Sequence, residues 1–240
     1  MAILWIINLN NMLRLFVSLI LFIPFFGYTQ SDKIIWENVK PIEPDRYIEV
    51  KGSPFLFETF VESKVLTNNN LSIENVLLNY NGYTHQFEAL HDGLPFILEE
   101  KYYERFEFVT QKYDRHYSNT MSDTTVFIYG LNPEARNKFY ILVYENQDLT
   151  IFKDFRIEKT ERAVETPGKT ELFINFSPFF TYYTLINGKK VSRFKLNKKS
   201  VIGLFEESKE MNQFIKSNKL SLKSEKDLKK LLEFNSSINQ

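Results

Sequence analysis

Three histidines are the residues of this chain best suited to metal or acid–base chemistry: His85, His91 and His116. Glu88 lies midway between the first two, and on a helix this three-residue spacing would place all three side chains on one face. Residues 85–90 instead have the pattern of a β-strand next to a turn, and in a strand Glu88 points away from both histidines. We therefore predict neither a metal site nor a bound cofactor.

The residues that could carry nucleophilic or carboxylate catalysis have simpler structural interpretations. Ser53 stands between Gly52 and Pro54, which is typical of a turn. The adjacent carboxylates Glu99 and Glu100, like those at 206–207, would point apart on a strand or a helix, so we interpret them as surface charge. The sequence contains neither a G-x-S-x-G motif nor a Gly-rich phosphate loop. It therefore predicts no catalytic residue and a protein that is not an enzyme.

The composition is that of a folded domain without disulfides. The chain has 240 residues, 43% of them hydrophobic, and no cysteine, which excludes a disulfide scaffold, thiol chemistry and lipidation on cysteine. Residues 189–240 carry 13 basic and 6 acidic side chains, and because the total charge is zero the preceding body is acidic. The lysine pairs at 198–199 and 229–230 are too few for a nucleic-acid interface, so we predict no nucleic-acid partner.

The amino terminus has the pattern of an export signal. Arg14 precedes an apolar run at residues 15–26, and small and polar residues follow it. This run is shorter than the ~20 residues of a membrane-spanning helix. We predict a signal peptide at residues 1–30, with Met12 as an alternative initiator, and a periplasmic or secreted protein that is not integral to the membrane after cleavage. An uncleaved amino-terminal anchor is the less favoured alternative.

The chain after the signal alternates short β-rich runs with turn residues. Residues 31–46, with Pro41 and Pro44, form an extended lead-in, and residues 47–196 form an antiparallel β domain. Three dipeptides are hairpin turns because Asn, Asp and Gly tolerate positive φ: Asn81–Gly82, Asp92–Gly93 and Asn187–Gly188. The expected strands are residues 47–50, 55–61, 76–80, 85–90, 96–98, 106–109, 124–129, 139–144, 149–157, 172–176, 182–186 and 191–196.

The pattern changes at residue 197. Apolar residues recur at helical spacing, as at Leu228, Leu231 and Leu232, and Ser224 with Asp227 resembles a capping box. Residues 197–240 therefore form a basic segment of short amphipathic helices. The predicted fold is mainly β, an antiparallel sandwich or barrel of about ten short strands, with two or three C-terminal α-helices docked on it.

Several segments together resemble an uncharacterised family of secreted proteins from Bacteroidetes-type bacteria. They are residues 52–56, 60–61, 75–83, 88, 92–93, 214–220 and 227–232. The resemblance implies an envelope location and brings no activity with it. Members more often have arginine where this chain has Asn79, which weakens the case for an anion site. A binding role for Tyr80, Asn81, Tyr83 and Glu88 competes with a purely structural hairpin, and we favour the hairpin.

These observations predict an exported, non-catalytic envelope protein that acts by binding or assembly with an unknown envelope partner. The aromatic content, 16%, leaves two interpretations, a packed core or an aromatic-lined cavity, and we favour the core. A barrel that carries an apolar ligand is the first alternative function. A hydrolase of envelope polymers, with converging carboxylates or a Ser–His pair, is the second.

Overall fold

The computed structural model describes residues 39–43, 46–47, 50–109, 124–166, 169–205 and 209–238. The predicted signal peptide, His116, and Glu206 with Glu207 lie outside these ranges. Residues 40–240 form one compact unit, and the predicted mainly β fold with C-terminal helices is confirmed. No helix within the described ranges combines the length and the apolar character that crossing a membrane requires.

Twelve strands in the described part of the chain form a single sheet. Its order is β1-β6-β5-β4-β3-β7-β8-β9-β10-β11-β12, with β2 beside β11. From β3 to β12, and from β4 to β6, neighbouring strands pair antiparallel, whereas β2 pairs parallel with β11. The strands are β1 (Val39–Pro41), β2 (Val50–Lys51), β3 (Val61–Thr67), β4 (Ser72–Asn81), β5 (Gln86–His91), β6 (Leu94–Leu98), β7 (Tyr103–Val109), β8 (Thr124–Tyr129), β9 (Phe139–Glu145), β10 (Leu149–Thr166), β11 (Lys169–Ile186) and β12 (Lys190–Phe194).

The sheet folds over itself, which gives the molecule a sandwich-like core. Rings from β4 and β5 lie against rings from β7 and β8: Tyr80 is 4.7 Å from Phe127, and Phe87 is 3.8 Å from Phe106, between centroids. The two parts also meet through the backbone, because Ile157 N–H donates to the carbonyl of Gly82 at 2.9 Å. Aromatic residues therefore fill the space between the two parts of one sheet.

Two of the three predicted turns adopt the expected backbone. Asp92 and Gly93 both have positive φ, 49° and 77°, and connect β5 to β6 directly. Asn187 and Gly188 likewise have positive φ, 48° and 64°, at the turn into β12. Each turn therefore uses the left-handed conformation that these residue types accept.

The hairpin predicted at Asn81 and Gly82 forms, but its turn covers residues 82–85, so Gly82 is part of the turn and Asn81 is not. Asn81 is the last residue of β4, four residues connect it to β5, and the positive φ of 59° is at His85. Gly82 is required for a different reason: a Cβ there would lie 2.4 Å from the Phe155 ring. The glycine thus permits the close approach of β4 to β10.

Two strand predictions also need correction. Residues 55–60 are irregular, with isolated bridges at Phe55, which pairs with Asn81, and at Phe57, and the strand starts at Val61. The separate strands expected at 172–176 and 182–186 are parts of one 18-residue strand, β11, paired along its length with the 18-residue β10.

The C-terminal segment forms three helices, α1 (Lys198–Ile202), α2 (Lys209–Ser217) and α3 (Glu225–Ile238). Their apolar side chains pack on β9–β12. Leu228 and Leu231 are completely buried there, in one cluster with residues such as Ile151. The Ser224 hydroxyl accepts from Asp227 N–H at 3.2 Å, as an N-cap does. The Asp227 carboxylate instead accepts from Ser221 and from Leu222 N–H, so only half of the predicted capping box forms.

Candidate functional site

The β4–β5 hairpin carries the four residues that the sequence proposes for binding, and its pairing separates them. Tyr80 lies opposite Phe87, and Asn79 lies opposite Glu88. Because cross-strand partners share a face, Tyr80 points with Phe87 into the aromatic core, while Asn79, Asn81 and Glu88 point to the other face.

Asn79 has a structural role. Its amide nitrogen donates to the carbonyls of Phe57 and Thr59, both at 3.0 Å, and its oxygen accepts from Phe57 N–H at 3.2 Å. The side chain therefore adds to the backbone bond from Leu56 N–H to the Tyr80 carbonyl, and together they hold this irregular segment against β4.

Asn81 and Glu88 belong to a buried network with Arg46 and Tyr47, which we call the hairpin network. Glu88 is 0% exposed, and its two oxygens accept from Arg46 at 2.8 Å and from the Asn81 amide at 2.8 Å. The same amide donates to the Tyr47 hydroxyl at 3.1 Å, and the Asn81 oxygen accepts from the backbone of Tyr83 and Thr84. These groups are mutually satisfied, so the network joins the lead-in to the hairpin.

The two tyrosines lie in different environments. Tyr80 is 2% exposed, and burial raises the pKa of its hydroxyl well above the ordinary value. Tyr83 is 40% exposed and packs against Phe176, 5.0 Å away between ring centroids. The structure therefore brings Asn81 and Glu88 together but places Tyr80 in the core and Tyr83 on the surface.

Charged residues that the sequence did not single out surround the end of this hairpin. Lys138 pairs with Asp154 at 2.8 Å, and the Tyr80 hydroxyl is 3.4 Å from Nδ1 of His85. Burial, assisted by the positive charge of Lys138, lowers the pKa of His85. The sequence had singled out His85 alone; Lys138 precedes β9 and Asp154 lies in β10, so no local sequence pattern could have joined these two to it.

Glu100 corrects the interpretation of the Glu99 and Glu100 pair as surface charge. Glu99 does pair with Lys101 at 2.8 Å, where the lysine side chain is 65% and the glutamate side chain 28% exposed. Burial, however, raises the pKa of Glu100 to about 7, although the cation of Lys138 acts in the opposite direction. A carboxyl group of this kind exchanges protons near neutral pH. Among the described residues, no three or more His, Asp or Glu side chains are grouped as metal ligands would be.

A two-stranded ribbon projects beyond the body. It consists of residues 158–166 of β10 paired with residues 169–177 of β11. Large apolar side chains are exposed along it: Leu172 at 58% and Phe173 at 53%. Strand β2 covers the outer edge of β11 only at Ile174 and Asn175, and β10 has no partner strand in the described structure along residues 158–166 except β11. The sequence suggested only a short strand at 172–176 and missed this element.

The aromatic interior is occupied by its own side chains. Phe87 contacts Phe106 at 3.8 Å, Phe127 at 5.0 Å and Phe139 at 5.1 Å between ring centroids, and Phe57 is 4.9 Å from Phe108. Such ring contacts are those of a packed core. The aromatic content is thereby explained by packing between the two parts of the sheet.

A buried ion pair fixes the last helix to the sheet. Lys153 of β10, 1% exposed, contacts a Glu225 oxygen at 2.6 Å, and the Tyr182 hydroxyl donates to the same oxygen at 2.7 Å. Burial lowers the pKa of Lys153, while the negative charge of Glu225 opposes that change. Burial also raises the pKa of Tyr182. Because Glu225 is the first residue of α3, this pair determines where the helix begins on the sheet.

These features define a mainly β chain with a packed aromatic core, three docked helices and a projecting ribbon. No family model matches the chain, and neither a curated protein nor a solved structure is significantly similar to it. No catalytic family or motif is evident.

Proposed function

We propose that this chain is an exported, non-catalytic envelope protein that acts by binding a partner protein through the β10–β11 ribbon. The observation that carries the proposal is the ribbon itself, which exposes large apolar side chains on a projecting pair of strands. Leu172 and Phe173 are neighbours on a strand and so present one large apolar side chain on each face of the ribbon, and exposed apolar surface of this kind can serve in partner binding. The signal-like amino terminus and the resemblance to a secreted family support the envelope location.

The partner would add an extended strand to the free edge of β10. Ile157 N–H points away from β11, toward Gly82, so the backbone groups of Lys159 and Glu161 point the same way along the strand. These groups form an unpaired row in the described structure, as in sheets that bind an extended segment. Charged side chains on this edge, such as Lys159 with Glu161 at 2.5 Å, would restrict pairing to a partner with matching charges.

The packed interior argues against the alternative of a carrier for an apolar ligand. The rings that would line a cavity contact one another instead, as for Phe87 and Phe106. A ligand could enter only if several of these buried rings moved, which would disrupt the core.

Two matched serine variants test the apolar surface. Leu172 and Leu94 are exposed to the same extent, 58% and 56%, but Leu94 lies at the β5–β6 turn. We expect Leu172→Ser combined with Phe173→Ser to abolish the partner's mass in native mass spectra of the protein purified from the periplasm, and Leu94→Ser to leave it. A complex that persists in the ribbon variant, or a wild-type protein found alone, would contradict the proposal.

A proline variant tests strand addition separately. Glu161→Pro removes a backbone donor that faces the open edge, and proline is tolerated at such edges. We expect it to weaken partner binding strongly, whereas Glu161→Ala, which keeps the donor, should have a much smaller effect. Equal binding by the two variants would rule out the strand-addition mode while leaving the apolar surface to be judged by the serine variants.

A further inference from the structure

An open groove of about 620 Å³ lies where β10 begins. One wall is the β9–β10 turn with Gln147 and Asp148, and the opposite wall is α3 with Asn235. Tyr144 and Phe205 contribute aromatic rings to the lining. Because residues 158–166 form the other end of β10, this groove is separate from the ribbon and does not depend on the function proposed for it.

The turn that forms the first wall is held rigidly. The Asn146 oxygen accepts from Asp148 N–H at 3.1 Å and from Leu149 N–H at 2.8 Å, while its own backbone N–H donates to Leu149 at 3.0 Å. The Tyr144 hydroxyl is 2.9 Å from Oγ of Ser236, which joins the turn to α3 across the groove. The groove is therefore preformed rather than the product of two independently moving elements.

Three of the polar side chains at the groove are unengaged. Within the described structure, the side chains of Gln147, Asp148 and Asn235 make no hydrogen bond. Two amides supply both donors and acceptors, and a carboxylate supplies acceptors only. No arginine, lysine or histidine lines the groove, so an anion would meet Asp148 without a compensating cation.

We propose that this groove binds a neutral, hydroxyl-rich ligand, a short oligosaccharide. Sugar hydroxyls both donate and accept, which matches the amides of Gln147 and Asn235 with the carboxylate of Asp148. The negative face of an aromatic ring such as Phe205 suits the polarised C–H groups of a pyranose. The mixture of rings, amides and one carboxylate fits a saccharide better than a lipid or a phosphate.

The test uses the full chain with maltotriose, cellotriose, xylotriose and chitotriose as probes, observed by saturation-transfer NMR. We expect at least one of them to bind with a Kd of about 1 mM or tighter. Gln147→Ala combined with Asn235→Ala should weaken that binding by at least about tenfold, which corresponds to the loss of about 1.4 kcal/mol of hydrogen bonding. Gln213→Ala, an exposed glutamine on α2, is the matched control and should bind as the wild type does.

The competing outcomes are distinct. Absence of saturation transfer from all four probes would overturn the proposal, and so would undiminished binding by the groove variant. Binding of glucose 6-phosphate in preference to the neutral probes would show an anion site instead. Because the Leu172→Ser and Phe173→Ser variant leaves the groove intact, it should bind the saccharide normally, which separates failure here from failure of the ribbon proposal.

Discussion

Breaking the buried contact between Lys153 and Glu225 should destabilise the protein by several kilocalories per mole. The two side chains meet at 2.6 Å, and the Lys153 side chain is 1% exposed. When one partner of a buried ion pair is removed, the other remains as an uncompensated charge, and the loss is about 3–5 kcal/mol. For a domain of this size, 1 kcal/mol lowers Tm by about 2–4 °C, so single variants should lose about 6–20 °C.

The two single variants should differ in how much stability they lose. Glu225→Gln leaves a buried ammonium group without its carboxylate and should lie at the upper end of the range. Lys153→Met leaves a carboxylate that still accepts from the Tyr182 hydroxyl at 2.7 Å and lies in the first turn of α3, where the helix dipole favours negative charge. This variant should therefore lie at the lower end.

The pH dependence of the Glu225→Gln variant has a definite sign. Burial lowers the pKa of Lys153 in the folded state, and loss of the carboxylate would lower it further. The folded state then binds fewer protons than the unfolded state between its own pKa and about 10.4, so stability rises with pH in that window. The deficit relative to wild type should accordingly shrink as pH rises toward 10.

Urea unfolding at pH 7 and pH 9.5 measures these effects. An apolar replacement, Lys153→Met with Glu225→Leu and Tyr182→Phe, is the decisive control because it removes both charges and the orphaned hydroxyl together. It should be more stable than either single variant, since apolar isosteres of buried pairs are often neutral or stabilising. Two results would refute this reasoning. One is a loss of less than about 1 kcal/mol in the free energy of unfolding of the single variants, and the other is a loss in the triple variant equal to the sum of the losses caused by its separate substitutions.

Three further predictions concern the sheet and its turns. Gly82→Ala should lower stability by about 1–3 kcal/mol in urea unfolding, because the added methyl group overlaps the buried Phe155 ring; unchanged stability would mean that the ring moves freely. Glu100→Gln should stabilise the protein at pH 8 by about 1–2 kcal/mol and have little effect at pH 4. The sign follows because burial raises the folded pKa to about 7, so the ionised form is disfavoured and stability falls as pH rises from about 4.5 to 7; equal effects at both pH values would contradict this. Glu88→Ala should cost about 3 kcal/mol or more by thermal denaturation, since Arg46 and Asn81 lose their shared acceptor, and a surface-like loss below 0.5 kcal/mol would exclude the hairpin network as a structural element.

The sequence predicts local structure correctly where a residue type strongly prefers one backbone conformation. Asp92 with Gly93 and Asn187 with Gly188 form their turns because both types accept positive φ. The C-terminal helices were likewise predicted from apolar spacing and from Ser224, whose capping bond is present. These features depend on residues within a few positions of one another, so a single sequence contains the information.

Features that depend on contacts between residues far apart in the chain cannot be predicted from the sequence. Gly82 was assigned to a turn, but it is needed because Phe155, far along the chain, packs against it. Glu88 finds its partner Arg46 from a separate segment, 42 residues away in sequence. Glu99 and Glu100 are both partly buried, but burial raises the pKa of Glu100, whereas the hydrogen bond from Lys101 lowers the pKa of Glu99. A lone sequence carries no signal for such pairings, because strand and charge patterns depend on what the fold places opposite them.

The two halves of β10 differ in burial, and the proposed function assigns partner binding to the second half. In the first half, Ile151 and Phe155 are at most 1% exposed. This part of the strand packs against both the core and the helices. In the second half, residues 158–163 are exposed and bury little apolar surface. Substitutions in the ribbon should therefore change partner binding with little change in Tm, whereas substitutions near Lys153 should do the reverse.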